Sequence, residues 1–313
     1  MLMSRLEITV ENLVNQNPDL NEEQFRSQLA GLGVNAELAE EIGDSLWDLY
    51  QIIVQRKKEA VTPARKEEAR PKILAIVGSF RKGGNTDLIT DRILAGASSK
   101  GARTEKIYVD DLRFSSCQGC YQCKPEGICQ QHDDVLKIRN KIEEADGVIV
   151  GSPIYGNYMT GQLKLLLDRL MGVLNRRIFI PGEKKFTSVT RLVEKKRNVF
   201  IVLVAGAPNE DCGDDTLKLL RRMTGSFANG GFVENMVATG ITAYGAVAMD
   251  EEQLAGVAKA AGVPNPEEAA ERARARNLGV LEKAYQIGVR MVEADSNQGA
   301  QISQDGIENN GYF

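Results

Sequence analysis

An α/β fold built on a doubly wound, parallel five-stranded sheet, with a small all-helical unit in front of it, is the architecture this sequence predicts. From residue 72 onward, short apolar runs alternate with stretches of helical periodicity, the pattern of βαβ units. The first of those runs opens into a loop of glycines, hydroxyls and amides that leads directly into a helix. Before residue 56 the apolar residues recur instead at steps of three and four, and a basic, Pro-containing stretch separates the two patterns.

The length of 313 residues, at about 150 per domain, suits two domains. Residues 1–55 read as the helical unit. Leu38, Ile42, Leu46, Leu49, Tyr50 and Ile53 form one stripe with Asn35 as a cap, and an earlier helix starts near Asn21 and ends at Gly31 or Gly33. The unit is acidic, with Arg5 and Arg26 against ten Asp and Glu, and Trp47 falls in its core or on a docking surface. Residues 56–71 read as a linker, and 72–294 as the α/β domain. Its strands are expected over 73–77, 103–109, 147–151, 198–205 and, more weakly, 231–240. Helices are expected over 86–99, 133–144, 160–173 and 214–228, followed by a long final helix over 266–294. The stretch 176–197 reads as an insertion, a lid or a dimer contact. Residues 295–313, rich in Asn, Gln and Gly, read as a disordered tail.

Composition narrows the function classes. The densest apolar run, 199–207, is half of the roughly 18 residues a membrane helix needs, so no membrane span is expected. Lys and Arg total 39 against 43 Asp and Glu, a formal charge of -4 that offers no general attraction for nucleic acid. No basic region with an apolar stretch and a small-residue cleavage site opens the chain, so a cytoplasmic location is expected. With His132 the one histidine, any two-histidine metal site or mechanism within one subunit is excluded.

Two loops carry chemistry. Gly78-Ser79-Phe80-Arg81-Lys82-Gly83-Gly84-Asn85-Thr86 follows the first strand and enters a helix, where backbone N–H groups and the helix dipole favour a phosphate. It ends without Gly-Lys-Ser/Thr and lacks G-x-G-x-x-G, so a mononucleotide fits better than a nucleoside triphosphate or a dinucleotide. Ser152-Pro153-Ile154-Tyr155-Gly156-Asn157 follows the third strand. In a doubly wound sheet it faces the first loop at the carboxyl edge, where a Pro-fixed aromatic turn can lie along a flat ring. Between them, Cys117, Cys120, Cys123 and Cys129 fall within 13 residues, and Cys212 stands apart. In a chain without an export signal such a run reads as a metal or redox site before a disulfide framework. Four thiolates suit an iron–sulfur cluster, a tetrahedral zinc, or a redox thiol set. Asp133 or Asp134 reads as a helix cap.

Gly-Ser-x-Arg-Lys-x-Gly-Asn-Thr after the first strand and Ser-Pro-x-Tyr after the third resemble the NAD(P)H-dependent FMN reductases of flavodoxin-like fold. Phe80 stands where a Pro is usual, and Gly83 where an Asn is common. The spacing Cys117-x2-Cys120-x2-Cys123-x5-Cys129 resembles the iron-sulfur flavoprotein branch of that family. The resemblance covers roughly residues 71–169. It implies a sheet of order 2-1-3-4-5 and an FMN whose phosphate is held by Ser79, Arg81, Lys82, Gly84, Asn85 and Thr86. Pro153, Ile154, Tyr155, Gly156 and Asn157 would line its isoalloxazine, with Ala205 and Gly206 forming a third flavin-side loop by position. The four cysteines would hold a [4Fe-4S] cluster beside the flavin, and the protein would be a dimer or tetramer.

The expected function is an oxidoreductase in which the flavin carries the chemistry and no side chain acts as catalyst. It would move electrons between a reduced donor, ferredoxin or NAD(P)H, and a small-molecule or protein acceptor. A flavin or quinone reductase without a cluster is the alternative enzyme reading. A non-catalytic electron carrier, docking its partner through the N-terminal unit, is the alternative outside enzymes.

Overall fold

The computed structural model describes residues 17–31, 70–124, 127–180, 185–192, 195–209 and 211–293, with isolated positions between 10 and 54. It divides into two compact units. One takes in the residues up to Ala69 together with Arg177–Val189, and the other takes in Arg70–Arg176 and resumes at Thr190.

In the first unit, α1 (Glu22–Gly31) opens on a reciprocal cap. The Gln24 N–H donates to Asn21 Oδ1 at 2.9 Å, and the Asn21 N–H donates to Gln24 Oε1 at 3.0 Å. Phe25 and Leu29, one turn apart, are buried with Leu46, Tyr50 and Ile53. Trp47 is partly buried against this core and stacks on Tyr50, with ring centroids 5.2 Å apart. Asn35, Leu38, Ile42 and Leu49 lie outside the described residues, as do 56–69 and 294–313.

The second unit carries the sheet. Its elements are β1 (Lys72–Val77), α2 (Asn85–Ser99), β2 (Arg103–Tyr108), α3 (Val135–Glu144), β3 (Gly147–Pro153) and α4 (Gly161–Leu174). They continue with β6 (Asn198–Val204), α5 (Asp214–Ala228), β7 (Val233–Ala238), α6 (Glu251–Ala260) and α7 (Pro266–Glu293), while β4 (Asn175–Ile180) and β5 (Lys185–Thr190), between α4 and β6 in the chain, fall largely in the first unit. The strands β2-β1-β3-β6-β7 form one parallel sheet, and β4 pairs with β5 apart from it. Among the strands of the five-stranded sheet the order is 2-1-3-4-5, as expected, and it is flavodoxin-like.

Both faces of the sheet are covered, which is why its central strands read as continuous apolar runs. Along β1, Leu74 and Ile76 join a core with Leu163, Leu166, Leu170 and Phe227 of α4 and α5, whereas Ile73 and Ala75 join one with Ile89, Ile93, Ala284 and Ile287 of α2 and α7. The helices α2 and α7 meet at glycines. A Cβ on Gly96 would lie 2.0 Å from the Tyr285 carbonyl oxygen, and one on Gly288 would lie 1.9 Å from that of Ile93. No larger residue fits at either position.

The structure alters some expected boundaries. The fifth strand is Val233–Ala238 rather than 231–240. A Cβ on Gly231 would lie 2.0 Å from the Arg197 carbonyl oxygen, and Gly240 turns the chain at φ +70°. Helix α3 starts at Val135 with Asp134 in the cap position. The Asp134 side chain instead accepts the Arg113 N–H at 2.8 Å, while Asp133 Oδ1 accepts the Val135 N–H at 3.2 Å. The stretch read as an insertion contains the β4–β5 pair, and α6 was not expected at all. No described helix is long and apolar enough to cross a membrane.

Candidate cofactor site

The carboxyl ends of β1 and β3 lie side by side where the order of the sheet reverses, the place at which doubly wound folds bind ligands. The loop after β1 is tied to β3 by the Gly78 N–H, which donates to the Gly151 carbonyl at 2.7 Å. It is tied to the start of α4 by the Thr160 hydroxyl, which donates to the Gly78 carbonyl at 2.7 Å. Ser79 is buried, and its Oγ accepts the Arg81 N–H at 3.1 Å. Gly84 occupies the N-cap of α2 and supplies no side-chain cap. The backbone N–H groups of Phe80, Lys82, Asn85 and Thr86 therefore have no acceptor among the described residues. Such donors, in the loop and at the helix N-terminus, could hold an anion such as a phosphate.

The expected phosphate ligands divide by task. Arg81 is exposed and no acid holds it among the described residues. The Lys82 ammonium is bound to Asp111 at 2.7 Å, which raises its pKa, and it lies 4.8 Å from the Tyr108 ring centre. The Asn85 side chain turns to the segment after β7. Its Nδ2 donates to the carbonyls of Ala243 at 2.8 Å and Ile241 at 3.3 Å, and its Oδ1 accepts the Val247 N–H at 3.0 Å. From the same segment, the Tyr244 hydroxyl donates to the Lys82 carbonyl, and a Cβ on Gly83 would stand 3.1 Å from that hydroxyl. Residues 241–247 thus form a wall of the β1–α2 loop that the sequence reading missed. The signal for it was topological, since the loop after a fifth strand must open on the same edge.

Asp87, also missed, is buried in the first turn of α2. It accepts the Gly83 N–H at 2.7 Å and the Tyr108 hydroxyl at 2.9 Å, and it pairs with Lys106 at 2.6 Å. Burial pulls the Lys106 pKa down, but hydrogen bonds to Asp87 and Asp91 outweigh it, and the net shift is upward. An acidic residue in the first turn of a predicted helix was the available sign.

The β3–α4 loop is a tight turn. Tyr155 and Tyr158 exchange backbone hydrogen bonds at 2.8 and 3.0 Å around Gly156 (φ +56°) and Asn157 (φ +64°), the two left-handed residues of a type I′ turn. Both tyrosines are exposed, at 47% and 39%, so their rings are open to a ligand. The backbone of Ala205 is occupied, its N–H donating to the Ala238 carbonyl at 2.8 Å and its carbonyl accepting the Ile241 N–H at 3.2 Å. Gly206 is exposed beside Thr242. A cleft of about 410 Å³ lies between Asn157 and the β6–α5 loop, lined by Ala207, Asn209, Asp211, Cys212, Asp214 and Asp215.

The cysteine loop leaves the same edge after β2. Cys117 and Cys120 are exposed, Cys123 is half-buried and Cys129 is buried. Left-handed Gly119, Tyr121 and Gly127 fold the loop back on itself. Burial pushes the Cys123 thiol pKa up, and the sulfurs of Cys129, Cys117 and Cys120 push it the same way, so all four are within electrostatic reach. Among the described residues, no group of three or more His, Cys, Asp or Glu side chains stands in metal-holding geometry.

Open backbone donors at a helix N-terminus, an aromatic turn after β3 and a thiol loop after β2, all on one edge of a 2-1-3-4-5 parallel sheet, mark a flavodoxin-like domain. Residues 71–211 match the family model described as NADPH-dependent FMN reductase. A Bacillus subtilis protein named as an NAD(P)H-dependent FMN-containing oxidoreductase is 30% identical over 138 residues, which cover 43% of this chain and 67% of that protein. The chain belongs to the NADPH-dependent FMN reductase family. An iron-sulfur flavoprotein of Methanocaldococcus jannaschii is 44% identical over 98 residues, 31% of this chain and 51% of that protein, so the match spans about half the length of that relative. A solved NAD(P)H:quinone oxidoreductase from Methanothermobacter marburgensis aligns at a TM-score of 0.49 and 16% identity, over 71% of this chain and 100% of that one.

Proposed function

We propose that the chain is an FMN-dependent oxidoreductase that carries a [4Fe-4S] cluster on Cys117, Cys120, Cys123 and Cys129. It passes electrons from a reduced donor, ferredoxin or NAD(P)H, to an acceptor. The observation that carries this reading is the uncapped start of α2, with four free N–H groups turned to the edge where the β3–α4 turn and the cysteine loop also open. The FMN-containing Bacillus relative supports the flavin, and the Methanocaldococcus iron-sulfur flavoprotein supports the cluster. The residues present fit an FMN, because the cradle leaves donors without acceptors and carries one unpaired cation, Arg81. They fit a cluster in kind, since four cysteine sulfurs share one loop.

FMN, when bound, exchanges a hydride or single electrons and a cluster exchanges one electron at a time, so the pair joins two-electron donors to one-electron acceptors. The chain supplies position. The N–H groups of Phe80, Lys82, Asn85 and Thr86, the Ser79 hydroxyl and Arg81 hold the phosphate, while Asp87 and Tyr244 fix the loop that presents them. Pro153, Ile154, Tyr155, Gly156 and Asn157 bound the ring on one side, and Ala205 and Gly206 bound it on another. The protein acts in the cytoplasm as a dimer or tetramer.

Anaerobic purification followed by flavin, iron, acid-labile sulfide and zinc analysis tests the reading. About four irons and four sulfides per FMN are expected, and a chain that binds no FMN refutes it. Four cysteines on one loop equally suit a redox thiol set, which carries a second reading. FMN without iron would then mark a flavin or quinone reductase whose cysteines work as thiols.

A further inference from the structure

Helix α4 begins at the flavin-side turn and presents Arg169 and Gly172, three residues apart, to the cysteine loop. The Arg169 side chain is 1% exposed. Its Nη1 donates to the Ser115 carbonyl at 2.7 Å, to Gln131 Oε1 at 3.0 Å and to Asp133 Oδ2 at 2.8 Å. Its Nη2 donates to Asp133 Oδ1 at 2.9 Å and to Cys129 Sγ at 3.3 Å. Ser115 stands just before the first cysteine of the run, and Gln131 and Asp133 stand just after the last. One guanidinium therefore joins both stems of the loop and touches the sulfur of its fourth cysteine. Gly172 makes room on the same helix, where a Cβ would lie 2.9 Å from Cys123 Sγ.

This arrangement calls for arginine in particular. Its planar fork meets the Asp133 carboxylate with both nitrogens and still has donors for a carbonyl and a sulfur, which a lysine ammonium has no geometry to match. A buried charge is destabilising unless it is compensated. Asp133 supplies the counter-charge, and the loop stems supply the remaining acceptors. Only Nε is left buried without a partner among the described residues.

We propose that Arg169 is a positioning residue for the cysteine-held cluster, clamping the stems of the 117–129 loop and holding the Cys129 sulfur by a charged hydrogen bond. The inference rests on the cluster reading given above. Hydrogen bonds and positive charge at a ligand sulfur stabilise the reduced, more negative cluster, so their loss lowers its reduction potential. Loss of an outer hydrogen-bond partner typically weakens metal retention about 10–100-fold.

The test compares full-length wild type, Arg169→Met and Arg169→Lys, all purified anaerobically. FMN per chain, iron retained against a competing chelator, and the midpoint potential of the cluster are measured. FMN content equal to wild type shows that the variants are folded. Arg169→Met is expected to lose iron at least tenfold more readily and to titrate at a lower potential. Arg169→Lys keeps the charge but not the fork, so its potential is expected nearer to wild type while its retention still falls. Should Arg169→Met hold no FMN, Arg169→Lys alone decides. Wild-type retention and potential in the folded variants would overturn the inference and leave the cluster reading standing. A wild type that holds FMN but no iron would overturn both, and is recognised without any variant.

Discussion

Replacing Asn85 by alanine separates two tasks for one side chain, phosphate ligand or clamp on the neighbouring segment. The structure gives the amide three hydrogen bonds to residues 241–247, at 2.8, 3.0 and 3.3 Å. A hydrogen bond of this type contributes about 0.5–1.5 kcal/mol net, with the longest at the weak end. Alanine regains a few tenths of a kcal/mol of helix propensity at the first turn. The balance is a loss of about 2–3 kcal/mol, or roughly 4–12 °C in Tm for a unit of this size. The assay is a thermal melt of the flavin-free protein followed by circular dichroism, paired with FMN affinity from quenching of flavin fluorescence. A clamp lowers the Tm of the flavin-free chain by that amount and weakens FMN binding only through the shifted wall. An unchanged Tm with a tenfold or greater loss of FMN affinity would refute the clamp and make the amide a direct phosphate ligand.

Alanine at Gly96 or Gly288 forces a methyl group to within 2.0 Å of the backbone of the opposing helix, and overpacking of that kind is expected to cost about 3 kcal/mol or more. Urea melts check it, and a midpoint equal to wild type would contradict the close α2–α7 packing. Lys106→Met leaves Asp87, a carboxylate that is 4% exposed, without its cation. With Lys106 itself 20% exposed, a loss of about 2–3 kcal/mol is expected, largely recovered in the double variant with Asp87→Asn. Because the folded Lys106 pKa is raised, this contribution is complete below its ordinary value near 10.4 and fades only above it. The stability difference between wild type and Lys106→Met is therefore expected to be constant from about pH 6 to 9, and a marked slope there would count against the pairing. At 100 times its Kd, FMN is expected to stabilise the flavin-free chain by about 2.7 kcal/mol. Riboflavin at the same concentration is expected to give far less, and equal shifts would sink the phosphate cradle.

The legible parts of this chain were those whose physics is local. The central strands read within a residue or two because β1, β3 and β6 are apolar on both faces, which fixes them without knowledge of their neighbours. Helix α6 was missed because Leu254 is its one buried residue, so it has no apolar stripe, although its Asp250–Gln253 capping box was readable. The loop between β1 and α2 was visible in its glycines and hydroxyls. The role of Asn85 was not, because it depends on carbonyls more than 150 residues away. Nothing local in the sequence marked Arg169. Its burial follows from the return of the cysteine loop over α4, a long-range contact that no local pattern encodes.

A reductive titration of the anaerobically purified, full-length protein tests most directly the proposal that two-electron and one-electron centres share one chain. Electrons are added stoichiometrically while the visible spectrum is followed. Three electrons per chain, two for FMN and one for the cluster, are expected. An endpoint at two electrons, with the spectrum of flavin alone, would contradict it.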